Sequence, residues 1–138
     1  MMQTDNHDIA EFREHEELVN SWLAYYRILE DSGNITGQTD IANPHLWAID
    51  RLDDIGRLQP ELCWQLILEI LDRTVSDLQR VSLAAGPLED LLNRYGNDFI
   101  DRVEAVAGQN EKFRELLPGI WRNTINAEVW DRIQRLCS

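Results

Sequence analysis

The run Pro60-Glu-Leu-Cys-Trp-Gln-Leu-Ile-Leu-Glu-Ile-Leu71 constrains the fold of this chain more than any other stretch. From Leu62 to Leu71 only Gln65 and Glu69 are polar, and with Glu61 they recur every fourth residue. On a helix that spacing draws one narrow polar stripe and leaves the rest of the circumference apolar. Such a helix needs neighbours on most of its sides. The run therefore predicts a central helix with other helices wrapped around it.

The flanking sequence supplies the wrapping. From about Ile9 to Leu29, Phe12, His15, Val19, Trp22, Tyr26 and Leu29 fall at alternating steps of three and four, the seam of a long amphipathic helix. Gly33 to Ala42 reads as a loop. Asn43-Pro44 then reads as an N-cap followed by proline at the first helical position. The helix it opens sets Leu46, Ile49, Leu52 and Ile55 against the core and Asp50, Asp53 and Asp54 on the other side. Beyond Arg73, Ser76-Asp77 caps a short helix with Leu78 and Val81 inward. Gly86-Pro87 breaks the chain, and Pro87 opens a further helix with Leu88, Leu91, Leu92 and Tyr95 inside. Glu89 and Asp90 in its first turn complement the positive helix end. Gly96 closes it. Later helices carry Phe99, Ile100, Val103 and Val106, then Phe113, Leu116 and Leu117, then Val129, Trp130, Ile133 and Leu136.

Short alternations occur, but none is flanked by hairpin turns, so no strand is expected. With 138 residues the chain suits one ordinary core. The expected fold is all-α. It comprises a flexible tail over residues 1–8 and a single domain over 9–138 of about seven or eight helices. These stack antiparallel like a short helical-repeat solenoid, or pack as an irregular bundle. No repeat with a period of thirty to fifty residues supports the solenoid over the bundle.

The formal charge is −12 and it is unevenly spread. Residues 1–72 carry 15 acidic and 4 basic side chains, whereas residues 73–138 carry 10 and 9. Such a balance disfavours direct contact with nucleic acid or with an anionic membrane surface. It favours basic partners. Lys112 is the single lysine and the remaining cations are arginines, which form planar, bidentate contacts. The polar start of the chain carries no leader pattern and no apolar run approaches the ~20 residues that span a bilayer. A cytoplasmic address is the expectation, and with it free thiols at Cys63 and Cys137.

Motifs for chemistry are sparse. Asp50 and Asp54 share a helix face with His45 one turn earlier, a pattern able to hold a divalent cation, although a solvated helix face is the simpler reading. His15, beside Glu14 and Glu16, reads as a partly buried, hydrogen-bonded histidine. His7 falls in the tail. There is no nucleophile elbow, no phosphate-binding glycine loop and no zinc-ligand spacing. The chain is not expected to be an enzyme or to carry a cofactor. Of the five tryptophans, Trp64 reads as core and Trp22, Trp121 and Trp130 as core or half-buried. Trp47 stands slightly off its helix seam, and an exposed tryptophan among Asp50, Asp53 and Asp54 resembles an interface anchor. Arg122-Asn123 is a second surface candidate.

Around Leu83-Ala-Ala-Gly-Pro-Leu-Glu-Asp-Leu-Leu92 the chain resembles a family of small, uncharacterised bacterial proteins. Its members share an acidic all-helical layout, an Ala-Gly-Pro-Leu-Glu turn and an aromatic-rich end, matched here by Phe113, Trp121 and Trp130. The resemblance spans Trp22 to Leu136. It implies a bacterial, cytoplasmic, helical protein and no particular activity.

These features make the leading expectation an acidic protein-binding module. It would be an immunity, antitoxin or phage-type inhibitor that neutralises a basic, nucleic-acid-binding partner. Trp47, Asp50, Asp53, Asp54 and Arg122 are the expected contact residues. The alternative is a structural or regulatory adaptor, homodimeric or not, that uses the aromatic C-terminal half.

Overall fold

The computed structural model describes residues 6–33 and 43–137, with side chains from residue 11 onward. The tail at 1–5 and most of the expected loop, 34–42, lie outside them. All regular structure among the described residues is helical. In order these are α1 (Asn6–Ser32), α2 (Leu46–Leu58), α3 (Pro60–Arg73), α4 (Asp77–Leu83), a π turn (Ala84–Leu88), α5 (Glu89–Gln109), α6 (Glu111–Arg114), a 3-10 turn (Leu117–Gly119) and α7 (Ala127–Cys137).

α3 is the predicted central helix. Pro60 occupies its first turn, where a missing N–H costs nothing. Cys63, Trp64, Leu66, Ile67, Ile70 and Leu71 are buried, and Glu61, Gln65 and Glu69 are exposed as the stripe requires. The helix packs against α1, α2, α4, α5 and the π turn. Its C-terminal end is closed by Thr74, whose hydroxyl donates to Leu71 O at 2.9 Å. Lys112 of α6 adds donors to Asp72 O and Thr74 O. Trp64 carries the core outward, lying 5.7 Å from the Phe99 ring of α5 and 5.8 Å from the Phe113 ring of α6.

Contacts also join α1 to α4 and α2 to α5, beyond nearest neighbours in the chain. A solenoid repeat touches only the repeats beside it, so the layout is the irregular bundle. α1 begins at Asn6, ahead of Ile9, and is followed by Gly33, whose φ of 72° suits a residue without Cβ.

Several expected inner faces are rotated. Phe12 is 66% exposed and lines only a shallow surface hollow with His15 of α1 and Leu62 and Leu66 of α3. Leu18 takes a core place instead. In α2 the buried residues are Ala48, Leu52, Ile55 and Gly56, leaving Leu46 exposed and Ile49 half-buried. Small side chains let α2 approach closely, with a Cβ on Gly56 only 3.5 Å from Cys63 Sγ. α2 starts at Leu46, not at Pro44. Asn43 still serves the entry, since its Oδ1 accepts from His45 N–H at 3.0 Å.

In α4 Val81 faces solvent and Gln79 is buried. The Gln79 amide donates to Leu23 O at 3.0 Å and accepts from Val75 N–H at 2.7 Å. Ser76 caps the helix as expected, accepting from Gln79 N–H.

The largest correction concerns Gly86-Pro87. The chain does not break there. A proline inside a helix lacks an N–H and its ring collides with the carbonyl four residues back. Widening the helix by one residue per turn removes the collision. Residues 84–88 do this as a π turn, with Glu89 N–H reaching Ala84 O five residues earlier. α4, the π turn and α5 therefore follow one another without a loop. Gly96 likewise does not end α5. The helix kinks at Tyr95 (φ −131°, ψ 27°) and continues. Gly96 is buried under α7, where an added Cβ would meet Val129 Cγ1 at 3.2 Å.

Candidate functional site: an acidic cleft beside the π turn

Where α1, α2, α3, the π turn and α5 meet, the surface opens into a cleft of about 200 Å³. Its walls are Trp22 and Tyr26 of α1, Ile49, Leu52 and Gly56 of α2, and Cys63 of α3. Gly86 and Pro87 of the π turn form one side. Asp50 and Asp53 of α2 and Asp90 and Arg94 of α5 supply its charge. The spacing on α2 explains the first pair. Asp50 and Asp53 are three residues apart and share a side of that helix. The π turn advances α5 so that Asp90 comes to the same opening.

The electrostatics follow from burial first and from neighbouring charge second. Burial holds the Asp90 carboxyl above its ordinary range, Arg94 opposes the shift, and Asp53 and Glu89 add to it. Burial, again first, pushes the Cys63 thiol up to about 12, with Asp90 and Asp53 raising it and Arg94 lowering it. A thiol so placed stays protonated and is a wall atom rather than a nucleophile. The Tyr26 hydroxyl is raised by burial against a hydrogen bond with Ser82.

Elsewhere the acidic surplus of the first half meets the arginines. Arg51 pairs with Glu14 at 3.4 Å, Arg73 with Glu16 at 2.7 Å, Arg102 with Glu61 at 2.5 Å, and Arg57 with Asp54. Arg132 of α7 engages Asp101 and Glu104 of α5. Among the described residues Asp50 and Asp53 have no such partner. They share this with Glu17, Glu30, Asp31 and Asp72, which are exposed elsewhere, but Asp50 and Asp53 line an opening.

The expected contact residues divide accordingly. Asp50 and Asp53 come together with Asp90, which the sequence placed only in a first helical turn, and with Arg94, which it did not single out. Asp54 belongs to Arg57. Trp47 is 43% exposed on the first turn of α2 and does not line the cleft. Arg122 lies apart, on the loop between the 3-10 turn and α7, where its Nε donates to Ile125 O at 3.4 Å. Trp121 beside it is 74% exposed, not core. That loop is held by Glu89, a carboxylate only 7% exposed, which accepts from Trp121 N–H at 2.7 Å and from Asn123 Nδ2. Asn123 adopts a φ of 45° to make the turn. The sequence signal missed was a Gly-Pro pair set in unbroken helical periodicity, which marks a π turn as well as a break.

No three histidine, cysteine or carboxylate side chains are grouped for a metal ion among the described residues. His45 is half-buried and its Nδ1 lacks a hydrogen-bond partner. Cys63 and Cys137 are free thiols, one buried and one exposed. No helix among the described residues is long and apolar enough to cross a membrane.

Searches among curated proteins and among solved structures return no match. A family match covers residues 36–138, which include α2 to α7 and every charged residue of the cleft. The chain thus belongs to the family described as Family of unknown function (DUF6869).

Proposed function

We propose that this chain is an acidic protein-binding module that neutralises a basic partner. It is a bacterial, cytoplasmic protein without catalysis of its own, and it acts in the manner of an immunity protein, an antitoxin or a phage-type inhibitor. The partner's basic surface is one that otherwise meets nucleic acid, and the module competes for it without touching nucleic acid itself. The observation that carries this reading is the sorting of carboxylates. Arginines of the chain engage Glu14, Glu16, Glu61 and Asp54, while Asp50, Asp53 and Asp90 face an opening with Trp47 exposed on the same helix. Unpaired carboxylates steer a basic partner to the surface, and an exposed tryptophan supplies apolar contact once it arrives.

The test uses the immobilised full chain, bacterial extract and two salt concentrations. Basic proteins are expected to be retained at low salt and released at high salt. The double variant Asp50→Asn, Asp53→Asn is expected to lose them. Retention of the same proteins by wild type and variant, insensitive to salt, overturns the reading.

A second reading is favoured by one observation of its own. Trp121 projects from a loop anchored by a buried carboxylate, which suits an adaptor or homodimer built on the C-terminal half. It predicts self-association that salt does not weaken. A monomer by light scattering of wild type, identical to Trp121→Ala, counts against the dimer.

A further inference from the structure

We propose that the cleft beside the π turn receives the charged end of a basic side chain, a guanidinium or ammonium group on a methylene stem, presented by the partner protein. The proposal rests on the binding-module reading above and names the chemistry of its central contact. Size sets the first limit. At about 200 Å³ the cleft falls below the roughly 300–1,000 Å³ of pockets that enclose drug-sized ligands. A nucleotide is too large and one long side chain suffices.

The lining sets the second limit. Ile49, Leu52 and Pro87 offer apolar surface, and Tyr26 an aromatic one. Such walls suit the methylenes of arginine or lysine, which bury their stems while the head stays among polar groups. A hydrated inorganic cation gains nothing from them, and the carboxylates do not fall into a three-ligand group. Charge sets the third limit. Three carboxylates, Asp50, Asp53 and Asp90, line the opening against one guanidinium, Arg94, so the site keeps a net negative charge and disfavours anions. Asp90 is held high first by burial, with Arg94 offsetting part of the shift and the crowding of Asp53 adding to it. An incoming cation relieves that crowding. Guanidinium fits best, because its planar fork bonds a carboxylate through two parallel hydrogen bonds.

The π turn is why the site exists. Straight α-helical winding through residues 84–88 would shift Asp90 and Arg94 around the axis, away from Asp50 and Asp53. Single-turn π segments recur at functional sites.

The experiment titrates the full chain, by amide chemical shifts, with three probes. These are the capped peptide acetyl-Gly-Arg-Gly-amide, its uncharged citrulline counterpart and free agmatine. The arginine peptide is expected to shift amides of Asp53, Gly86 and Asp90, and the citrulline peptide to bind at least tenfold more weakly. Asp53→Asn and Asp90→Asn are each expected to weaken the arginine peptide about tenfold, the loss of one charged hydrogen bond. Arg94→Ala is expected to tighten it by removing the competing cation. Equal binding of the arginine and citrulline peptides overturns the proposal, as does weakening by Arg94→Ala. Agmatine binding tighter than the peptide overturns the assignment to a partner's side chain in favour of a free amine. Peptide titrations that shift no cleft amide, alongside salt-dependent retention of basic proteins, sink the cleft assignment and leave the binding module standing. Thermal melts showing that each variant is folded accompany every titration.

Discussion

Glu89 shows how far one side chain is committed by its surroundings. It sits at the start of α5 with both oxygens turned to the loop around Trp121 and Asn123. Replacing it by alanine leaves a backbone N–H and an amide without their acceptor. The expected cost is about 2 kcal/mol, read by urea denaturation, with the Trp121 fluorescence changing before the main transition. Asp90 carries the opposite sign. Its folded pKa is raised from 3.8, by burial first, so the folded state disfavours its charged form. That penalty is present above the folded pKa and fades as pH falls toward 3.8. Asp90→Asn is therefore expected to raise the melting temperature at neutral pH, and the gain is expected to vanish in acid. A melting series from pH 7 to pH 3 reads both halves of this expectation.

At the scale of the element, α5 and α7 depend on a missing methyl group. Gly96 admits Val129, and an alanine there would place its Cβ at 3.2 Å from Val129 Cγ1. Valine is stiff about χ1 and fully enclosed, so it has nowhere to turn. Gly96→Ala gains about 1 kcal/mol of helix propensity and meets an overpacking cost of about 1–3 kcal/mol. Net destabilisation is expected. Combined with Val129→Ala, the two costs are expected to sum to less than their separate values, which a double-mutant cycle by denaturant unfolding measures. The π turn is a second such element. Pro87 and Gly86 decide its winding, and through the winding they decide where Asp90 stands.

Over the whole molecule, ion pairs stitch helices distant in the chain. Glu16 to Arg73 joins α1 to α3, Glu61 to Arg102 joins α3 to α5, and Glu104 to Arg132 joins α5 to α7. Each arginine holds its glutamate below the ordinary 4.5, chiefly by a hydrogen bond to the carboxylate. A depressed folded pKa means the stabilisation is present above the unfolded value and is lost as pH falls through the folded one. The protein is expected to lose melting temperature below about pH 4.5, and Arg132→Met is expected to flatten part of that loss. These groups are exposed, so each pair contributes little alone.

The amino-acid pattern by itself determined the all-α class and the central place of α3. It also determined the acid-rich first half and the candidacy of Asp50 and Asp53. These follow from composition and from spacing along single helices, which a linear string records directly. Tertiary structure decided the rest. Which carboxylates Arg51, Arg73 and Arg102 would engage depends on helices meeting side by side. Whether Gly86-Pro87 breaks or widens a helix depends on whether both flanking segments bury their apolar faces in one core, as Leu83, Leu88 and Leu91 do. The exposure of Trp121 depends on Glu89, thirty-two residues away. Propensity is a local quantity, and the burial that overrides it belongs to the assembled molecule.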